Sequence, residues 1–270
     1  MNCPDTNYWL DDDCARAFWD QQKAVPYQEL LRDTSQLLDP KPGERWLDLG
    51  CGGGQLAALI WQKSQGRVGQ IIAFDCAPAN ALALGKIQAR LRPRPGPQQI
   101  EFVLGNFSHG LGAFPTASFD GVTCGLALSY AESWNPQTRR YTDTAYNRAL
   151  EEVCRVLKPG GQFVFSINVP RPRFWRVFWR SLPIAFRLSK PAKVLLNSLR
   201  MQRYGHWLKR EAERGRFHFF PLPVIKERLE RVGFRIVETR LSYAKQAYLL
   251  SALKQAIQLP QCEHNRGLAA

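Results

Sequence analysis

The sequence lacks the features that mark exported, membrane-spanning and disulfide-bonded proteins. Its first residues include three successive acids, Asp11, Asp12 and Asp13, where an export signal needs a basic flank and an apolar run. It has no run of about eighteen apolar residues, so no bilayer-spanning helix is expected. Its seven cysteines form no CxxC pair, so neither a zinc site nor a disulfide framework is expected. These absences predict a cytoplasmic protein with reduced thiols and no metal site.

Acidic residues are scarce relative to basic ones. Lys and Arg total 37 against 23 Asp and Glu, which gives a formal net charge of +14. Residues 170–220 carry most of the excess, because they contain thirteen basic and two acidic residues. Concentrated positive charge attracts nucleic acid, an acidic lipid surface or an acidic substrate. The composition therefore predicts an anionic partner and leaves these three alternatives open.

The apolar residues that are present suffice for one folded domain of alternating strands and helices. Hydrophobic residues make up 45% of the 270 residues, enough for a single core. From residue 44 onward, patterns of buried strands alternate with helical patterns, which predicts a parallel sheet covered by helices on both faces. The five predicted strands are Arg45–Leu49, Ile71–Asp75, Ile100–Leu104, Gly121–Leu126 and Gln162–Asn168.

The end of the chain predicts a different arrangement. Pro221–Val232 has the pattern of an amphipathic helix, and Phe234–Leu241 and Gln246–Ala252 have the pattern of strands. Because few residues separate the two strands, we predict an antiparallel hairpin that completes a mostly parallel, seven-stranded sheet. About fifty residues precede this helix where a direct connection needs far fewer. We therefore predict that 170–220 is an inserted, basic helical lid.

We predict a single domain over 1–270. Helical stretches at 8–23 and 26–39 open the chain and are predicted to form a lid or brace. The predicted parts are an N-terminal helical region 1–40, a core 41–169, the insertion 170–220, a C-terminal helix and strands 221–253, and a tail 254–270.

A glycine-rich turn follows the first predicted strand in WLDLGCGGGQLAALI, residues 46–60. Glycine has no Cβ and accepts positive φ, so such a turn lets a ligand approach the main chain. The dinucleotide fingerprint ends in Gly or Ala, whereas this loop ends in Gln55. Asp48 would also add negative charge near a bound phosphate. The loop therefore predicts a nucleoside that is cationic and has no phosphate.

These residues resemble motif I of the class I methyltransferases that use S-adenosylmethionine, of the small-molecule, methyltransferase-11-like type. The resemblance extends over 40–168 and 221–253, including FDGVTCGLALSY (119–130) and LEEVCRVLKPGGQFVFSI (150–167). It implies a Rossmann-like α/β fold, S-adenosylmethionine as cofactor, and a ribose-binding role for Asp75. The cofactor-binding residues that it implies are Asp48, Gly50, Cys51, Gly52, Gly54, Asp75, Cys76, Asn106, Phe107, Gly125 and Leu126.

Two positions depart from the family pattern. Asn106 stands where an acid is usual, so its carbonyl can accept from the adenine amine without a charge. Ala77 replaces a serine that often caps the following helix, a change that costs ~1 kcal/mol of stability.

The acceptor side of the site is predicted from residues that follow the fourth strand. Ser129 and Tyr130 are predicted to bind the substrate, and His109 and Tyr130 are candidate catalytic groups that could remove a proton. A solvated loop position for His109 and a purely structural role for Tyr130 remain alternatives. Within the insertion, Trp175 and Trp179 recur at helical spacing among arginines and are predicted to contact the substrate or a membrane.

The predicted reaction is methyl transfer from S-adenosylmethionine to a small lipophilic acceptor, at oxygen or an activated ring carbon. The basic insertion 170–220 predicts peripheral contact with an anionic membrane surface; the alternative is a lid whose arginines are solvated. Nucleic acid is the less favoured partner, because no [ND]PP[YF] sequence follows the fourth strand and no proline precedes Cys124. An RNA methyltransferase and a non-catalytic binding protein that keeps the cofactor fold are the remaining alternatives.

Overall fold

The computed structural model describes residues 8–10, 12–19, 24–173, 175–177, 179–180 and 203–256. Residues 20–23 of the first predicted helical stretch, 181–202 of the predicted insertion and 257–270 of the predicted tail lie outside the described residues. No helix in the described ranges is both long enough and apolar enough to cross a bilayer.

Six helices frame the sheet in the described part of the chain. The bounds are α1 Asp12–Trp19, α2 Val25–Leu37, α3 Gln55–Lys63, α4 Ala79–Gln88, α5 Thr144–Val156 and α6 Leu222–Arg231. Short 3₁₀ turns occupy Tyr8–Leu10, Phe107–His109 and Leu128–Tyr130. Residues 203–213 are also helical and are called the upper helix below.

The strands agree with most of the predicted ones. Their bounds are β1 Arg45–Leu49, β2 Gln70–Asp75, β3 Ile100–Leu104, β4 Phe119–Gly125, β5 Ser133–Asn135, β6 Arg140–Thr142, β7 Leu157–Asn168, β8 Phe234–Ser242 and β9 Ala247–Lys254. The sheet has seven strands in the order β3-β2-β1-β4-β7-β9-β8. Strands β1 to β4 and β7 pair in parallel, whereas β9 pairs antiparallel with both neighbours. The predicted fold class is confirmed.

Helices cover both faces of this sheet, as the alternation of side chains along its strands requires. In β1, Leu47 and Leu49 pack into the cluster that includes α5 and α6, whereas Trp46 packs into the cluster that includes α2 and α3. All three side chains are at most 1% exposed. The sheet is therefore a buried layer, and its carboxyl-terminal edge is left to the loops.

Two local features differ from the expectations. The fifth predicted strand begins at Gln162, whereas β7 begins at Leu157 and includes Pro159–Gly161. In this added part the register against β4 shifts between Phe119 and Gly121, and Gly160 adopts a φ of +76°. A small hairpin, β5–β6, was not predicted. Its sequence SWNPQTRRYT is polar and has no apolar alternation, and its Ser133 hydroxyl donates to the carbonyl oxygen of Thr142 at 2.7 Å. This hairpin begins three residues after Tyr130 and leads the chain back to α5.

Candidate active site

The glycine-rich loop joins β1 to α3 and forms the floor of a cavity. The amides of Gly50 and Cys51 both donate to the carbonyl oxygen of Phe74, at 2.8 and 3.1 Å, which ties the loop to β2. Gly52 adopts a φ of +50°, and a Cβ at this position would meet no heavy atom within 4 Å. The main chain at Gly52 is therefore open to the cavity.

Asp75 ends β2 beside this loop and is only 8% exposed. Its Oδ2 accepts from the amide of Gly52 at 2.8 Å, and its Oδ1 accepts from the amide of Ala77 at 2.9 Å. Burial raises the pKa of the Asp75 carboxyl, and these main-chain hydrogen bonds oppose the shift. Each carboxylate oxygen has a further lone pair, so Asp75 can accept additional donors from a ligand in the cavity.

The cavity lies at the carboxyl ends of the central strands, the usual ligand position in such sheets. Its empty space, counted together with the open mouth, is about 1200 Å³, and its lining extends from the glycine-rich loop to α1 and to the upper helix. The predicted residues that line it are Gly50, Cys51, Gly52, Asp75, Cys76, Asn106, Phe107, Gly125, Leu126 and Tyr130.

Asp48 does not line this cavity, which corrects the expectation that it faces a cationic ligand. It is 1% exposed and lies beneath the loop, where its Oδ2 accepts from the amide of Ala57 at 2.9 Å. Ala57 is in the first turn of α3, a position that favours a negative charge. Burial raises the pKa of Asp48 to about 7; the hydrogen bond from Ala57 opposes the shift, and the nearby Asp75 adds to it. Asp48 therefore braces the helix that follows the loop.

Gly54 is also outside the cavity, contrary to the predicted cofactor contact. It precedes α3 with a φ of +81°, and a Cβ there would lie 2.4 Å from Cδ1 of Leu84. Glycine is therefore required at position 54 because α3 and α4 approach each other closely there and because the residue adopts a left-handed conformation.

His109 and Ser129 are turned away from the cavity by their 3₁₀ turns. In the turn Phe107–His109, Phe107 lines the cavity and His109 is exposed to solvent. In the turn Leu128–Tyr130, Tyr130 lines the cavity and Ser129 is fully buried, with no hydrogen-bond partner for its Oγ among the described residues. Successive residues of so tight a helix point in different directions. The expectations of a His109 base and a Ser129 substrate contact are corrected accordingly.

Trp175 and Trp179 do not line the cavity either. They are 52% and 60% exposed, so the expectation that they contact the substrate is corrected for the described part of the insertion. The guanidinium of Arg176 lies 5.9 Å from the centre of the Trp175 ring, and Arg180 pairs with Glu29 at 2.6 Å. The two indoles and their arginines form an outward-facing surface instead.

Asn106 keeps its predicted place in the cavity, but its side chain has a local partner. Its Oδ1 accepts from the amide of Ser108 at 2.9 Å and so caps the turn Phe107–His109. A carbonyl oxygen has two lone pairs, so one acceptor position is left for a ligand amine.

Aromatic rings that sequence reasoning did not assign to the site form one side of the cavity. Trp9 contacts Tyr130 and Phe18, with ring centres 4.9 and 5.4 Å apart, and Phe18 contacts Tyr204 of the upper helix at 5.6 Å. The lining residues that were not predicted as site residues include Trp9, Phe18, Trp19, Tyr27, Asn80, Asn168, Tyr204, Leu208 and Tyr243. For Phe18 and Trp19, which belong to α1, the apolar spacing of that helix was the feature of the sequence that could have indicated a place in the site.

A polar contact fixes α1 against α4, the helix that follows Asp75. The indole Nε1 of Trp19 donates to Oδ1 of Asn80 in α4 at 2.7 Å, and Lys86 lies 5.5 Å from the centre of the Trp19 ring. Asn80 is 4% exposed and follows Asp75 by one short turn. The N-terminal helix is thereby connected to the region that holds the glycine loop.

Residues 47–165 match the family model described as a methyltransferase domain. The "Ubiquinone/menaquinone biosynthesis C-methyltransferase UbiE" of Legionella pneumophila (strain Corby) is 32% identical over 206 residues, which cover 75% of this chain and 71% of that protein. This chain belongs to the class I S-adenosylmethionine-dependent methyltransferases. Its cofactor is S-adenosylmethionine.

Other relatives of this methyltransferase are matched over a shorter length. The "Demethylmenaquinone methyltransferase" of Symbiobacterium thermophilum is 33% identical over 164 residues, 57% of this chain and 58% of that protein. The corresponding protein of Shouchella clausii is 31% identical over 162 residues and is covered to 60%. The chain thus spans less than two thirds of the length of these two relatives.

Solved structures show the same fold at low sequence identity. A putative methyltransferase of Haloferax volcanii, solved in complex with the Trm112 methyltransferase activator, has a TM-score of 0.58 and 15% identity, covering 95% of this chain and 100% of that chain. A SAM-dependent methyltransferase of Aquifex aeolicus has a TM-score of 0.55 and 14% identity, covering 90% and 98%. Such distant likeness concerns the fold alone.

The cavity suits this cofactor on physical grounds. A ribose diol needs two acceptors, which the buried Asp75 carboxylate retains beyond its main-chain contacts. The adjacent main chain at Gly52 has no side chain that would occupy the same space. The residues present therefore fit the nucleoside part of the cofactor.

Proposed function

We propose that this methyltransferase methylates a small lipophilic acceptor of the quinol type. The observation that carries the proposal is the aromatic side of the cavity, where Trp9, Phe18 and Tyr130 adjoin the residues suited to the nucleoside. Flat rings pack favourably against aromatic side chains. The matched relatives bear the names of quinone-biosynthesis methyltransferases, and the name of the Legionella protein specifies a C-methyltransferase. An activated ring carbon is therefore the favoured position and a ring oxygen the alternative.

The proposed cofactor site uses the loop and the strand ends. Asp75 would hold the ribose hydroxyls, the main chain at Gly50 and Gly52 would face the nucleoside, and Phe107 would adjoin the adenine. Gly125 and Leu126 at the end of β4 would face the methionine part. These roles follow from the placement of the residues together with the family pattern.

The proposed mechanism relies on position and on exclusion of water. When bound, the cofactor supplies an electrophilic methyl group on a sulfonium sulfur, so the acceptor atom needs little further activation. The aromatic residues Trp9, Phe18 and Tyr130 would hold the acceptor ring in line and displace water from it. A quinol ring carbon is itself electron-rich; it would take the methyl group as S-adenosylhomocysteine leaves, and the proton that this carbon then loses would pass to water at the open mouth of the cavity. The hydroxyl of Tyr130 therefore need not serve as a base.

The acceptor assignment is tested by mass spectrometry with methyl-labelled cofactor. A short prenylated naphthohydroquinone, kept reduced, should gain one labelled methyl group, whereas its oxidised quinone should not, because the quinone ring carbon is electron-poor. Asp75→Ala serves as the cofactor-site control. Label in tRNA without label in the hydroquinone would contradict the proposal and favour the RNA alternative.

We further propose that the surface formed by Trp175, Trp179 and the nearby arginines docks on an anionic membrane. Both indoles are more than half exposed, and Arg173 is exposed at the start of the same segment. Indoles favour the bilayer interface and arginines favour acidic headgroups, with ~1 kcal/mol for each basic residue near the surface. A lipophilic acceptor dissolved in the bilayer would then be close to the enzyme.

Vesicle sedimentation tests this docking surface. Neutralising Arg173, Arg176 and Arg180 with glutamine should lower the bound fraction on vesicles that contain phosphatidylglycerol several-fold, and phosphatidylcholine vesicles should bind weakly throughout. The matched control neutralises the exposed Arg90, Arg92 and Arg94, which removes the same charge elsewhere. If both triple variants lose vesicle binding equally, net charge alone would account for the binding, and a defined docking surface would be contradicted.

A further inference from the structure

Asn168 is a cavity residue that the sequence analysis did not assign to the site. It ends β7, is 1% exposed and lines the cavity beside Tyr130. Its Nδ2 donates a hydrogen bond to the hydroxyl oxygen of Tyr130 at 2.9 Å. Its main chain is held in place by two contacts. Asn168 pairs with Ala247 in β9, and the amide of Val169 donates to the carbonyl oxygen of Gln246 at 3.0 Å. The amide is therefore presented from a rigid strand end.

The ring of Tyr130 is equally constrained. Its centre lies 4.9 Å from that of Trp9, 5.0 Å from that of Phe217 and 6.3 Å from that of Phe219. These contacts come from the N-terminal segment and from the chain that follows the upper helix. With the ring held on several sides, the position of its hydroxyl oxygen is determined by packing and by the contact with Asn168.

The contact with Asn168 also determines what this hydroxyl can do. A phenol has one hydrogen to donate and lone pairs that accept. Because Asn168 donates to the oxygen, the hydroxyl hydrogen must point elsewhere. Burial, the largest cause, raises the pKa of Tyr130 above its ordinary value, as does the neighbouring Tyr243, while the hydrogen bond from Asn168 opposes the shift. Tyr130 thus stays protonated at neutral pH and is placed to donate its hydrogen to a ligand.

Further phenols surround this part of the cavity. Tyr243 and Tyr27 both line it, and their rings meet edge to face with centres 6.4 Å apart. Tyr243 lies in the β8–β9 turn with a φ of +55°, so the turn brings its side chain next to the end of β7. Asn168 and these phenols form a polar corner on the aromatic side of the cavity.

We propose that Asn168 is a positioning residue that directs the Tyr130 hydroxyl hydrogen toward an oxygen of the methyl acceptor. The pair then selects acceptors that carry a second hydroxyl on the ring, in addition to the hydroxyl that activates the methylated carbon. This inference rests on the proposed function and adds to it the group by which the acceptor is recognised. A site built to donate to an oxygen discriminates against an analogue that lacks it, because the donor is then left unpaired.

The test compares two reduced acceptor probes that differ by one oxygen. One is the prenylated naphthohydroquinone, and the other is the corresponding prenylated naphthol, which keeps the hydroxyl beside the methylated carbon and lacks the second hydroxyl. Tyr130→Phe removes only the phenolic oxygen and should lower kcat/KM for the hydroquinone about tenfold, while kcat/KM for the naphthol changes by less than about twofold. The variant-to-wild-type ratio cancels the different intrinsic reactivities of the probes.

A double-mutant cycle assigns the role of Asn168. Asn168→Ala should produce the same selective loss, and Tyr130→Phe combined with Asn168→Ala should be no worse than Tyr130→Phe alone. The affinity for S-adenosylhomocysteine should stay unchanged in all three variants. Ser129→Ala is the matched control, since it removes a neighbouring buried hydroxyl outside the cavity and should alter neither probe.

The outcomes separate the inference from the proposed function. If wild type methylates the probes but Tyr130→Phe affects both equally, or the two substitutions act additively, the positioning role is wrong and the acceptor class stands. If wild type methylates neither probe, the proposed acceptor class is wrong, and the proposed recognition of the acceptor oxygen is then wrong as well. Should Asn168→Ala fail to fold, Tyr130→Phe still decides whether the oxygen is recognised.

Discussion

Replacing Asp75 by alanine should weaken the binding of S-adenosylhomocysteine by about 100-fold or more. A hydrogen bond to a charged acceptor contributes about 1.5–3 kcal/mol, and the proposed site has two such bonds from the ribose. The substitution also leaves the amides of Gly52 and Ala77 without their acceptor, which loosens the open part of the loop. Isothermal titration calorimetry measures the affinity directly.

Two further variants separate these contributions. Asp75→Asn keeps an acceptor oxygen without the charge and should give an intermediate affinity. Asp39→Ala is the surface control, because Asp39 is exposed and pairs only with Lys41 in the described contacts; its affinity should equal that of wild type. An affinity of Asp75→Ala within about threefold of wild type, with the melting temperature retained, would remove Asp75 from the cofactor site.

Asp48→Asn should change how stability depends on pH, because Asp48 is a buried carboxyl without a cationic partner among the contacts described above. Its pKa is raised from 3.8 in the unfolded chain to about 7 in the fold. The folded state therefore holds the proton more tightly, so the wild type loses stability as the pH rises from about 4 to about 7. Above that range the loss is constant and on the order of 4 kcal/mol.

Asparagine does not ionise, so this loss should be absent from the variant. The variant should gain stability relative to wild type between pH 4 and pH 8, measured by urea unfolding at several pH values. Placing the extra amide hydrogens of asparagine near Thr123 changes the free energy of unfolding by the same amount at every pH. Only the slope of this free energy against pH therefore reports on the ionisation of Asp48. Parallel curves for Asp48→Asn and wild type would show that Asp48 is ionised in the fold without penalty.

Much of the fold follows from local patterns in the chain. The strands β1, β2, β3 and β4 were predicted to within about two residues of their observed bounds, because each is a short apolar run bounded by polar or turn residues. The antiparallel β8–β9 hairpin was predicted from two strand patterns separated by a short turn. The hairpin β5–β6 was not predicted, since its pairing depends on polar contacts such as that between Ser133 and Thr142.

The candidate site was predictable where its residues adjoin strand ends. Gly52 and Phe107 each follow a recognisable strand and Asp75 ends one, and parallel strands bring their carboxyl ends to one edge. Asp48 was misplaced because its distance from the loop along the chain does not reveal which face of β1 it occupies. His109 and Ser129 were misplaced because tight turns direct neighbouring side chains to opposite sides.

The amino-acid sequence by itself determined the order of strands and helices, the glycine-rich loop and the acid at the end of β2. These depend on residues close together in the chain, whose spacing sets local conformation. Only the tertiary structure decided that Asn168 contacts Tyr130, that Trp9 and Tyr204 both lie on the aromatic side of the cavity, and that Asp48 lies under the loop. Each of these contacts joins distant segments, and packing across the sheet edge determines which side chains share the cavity.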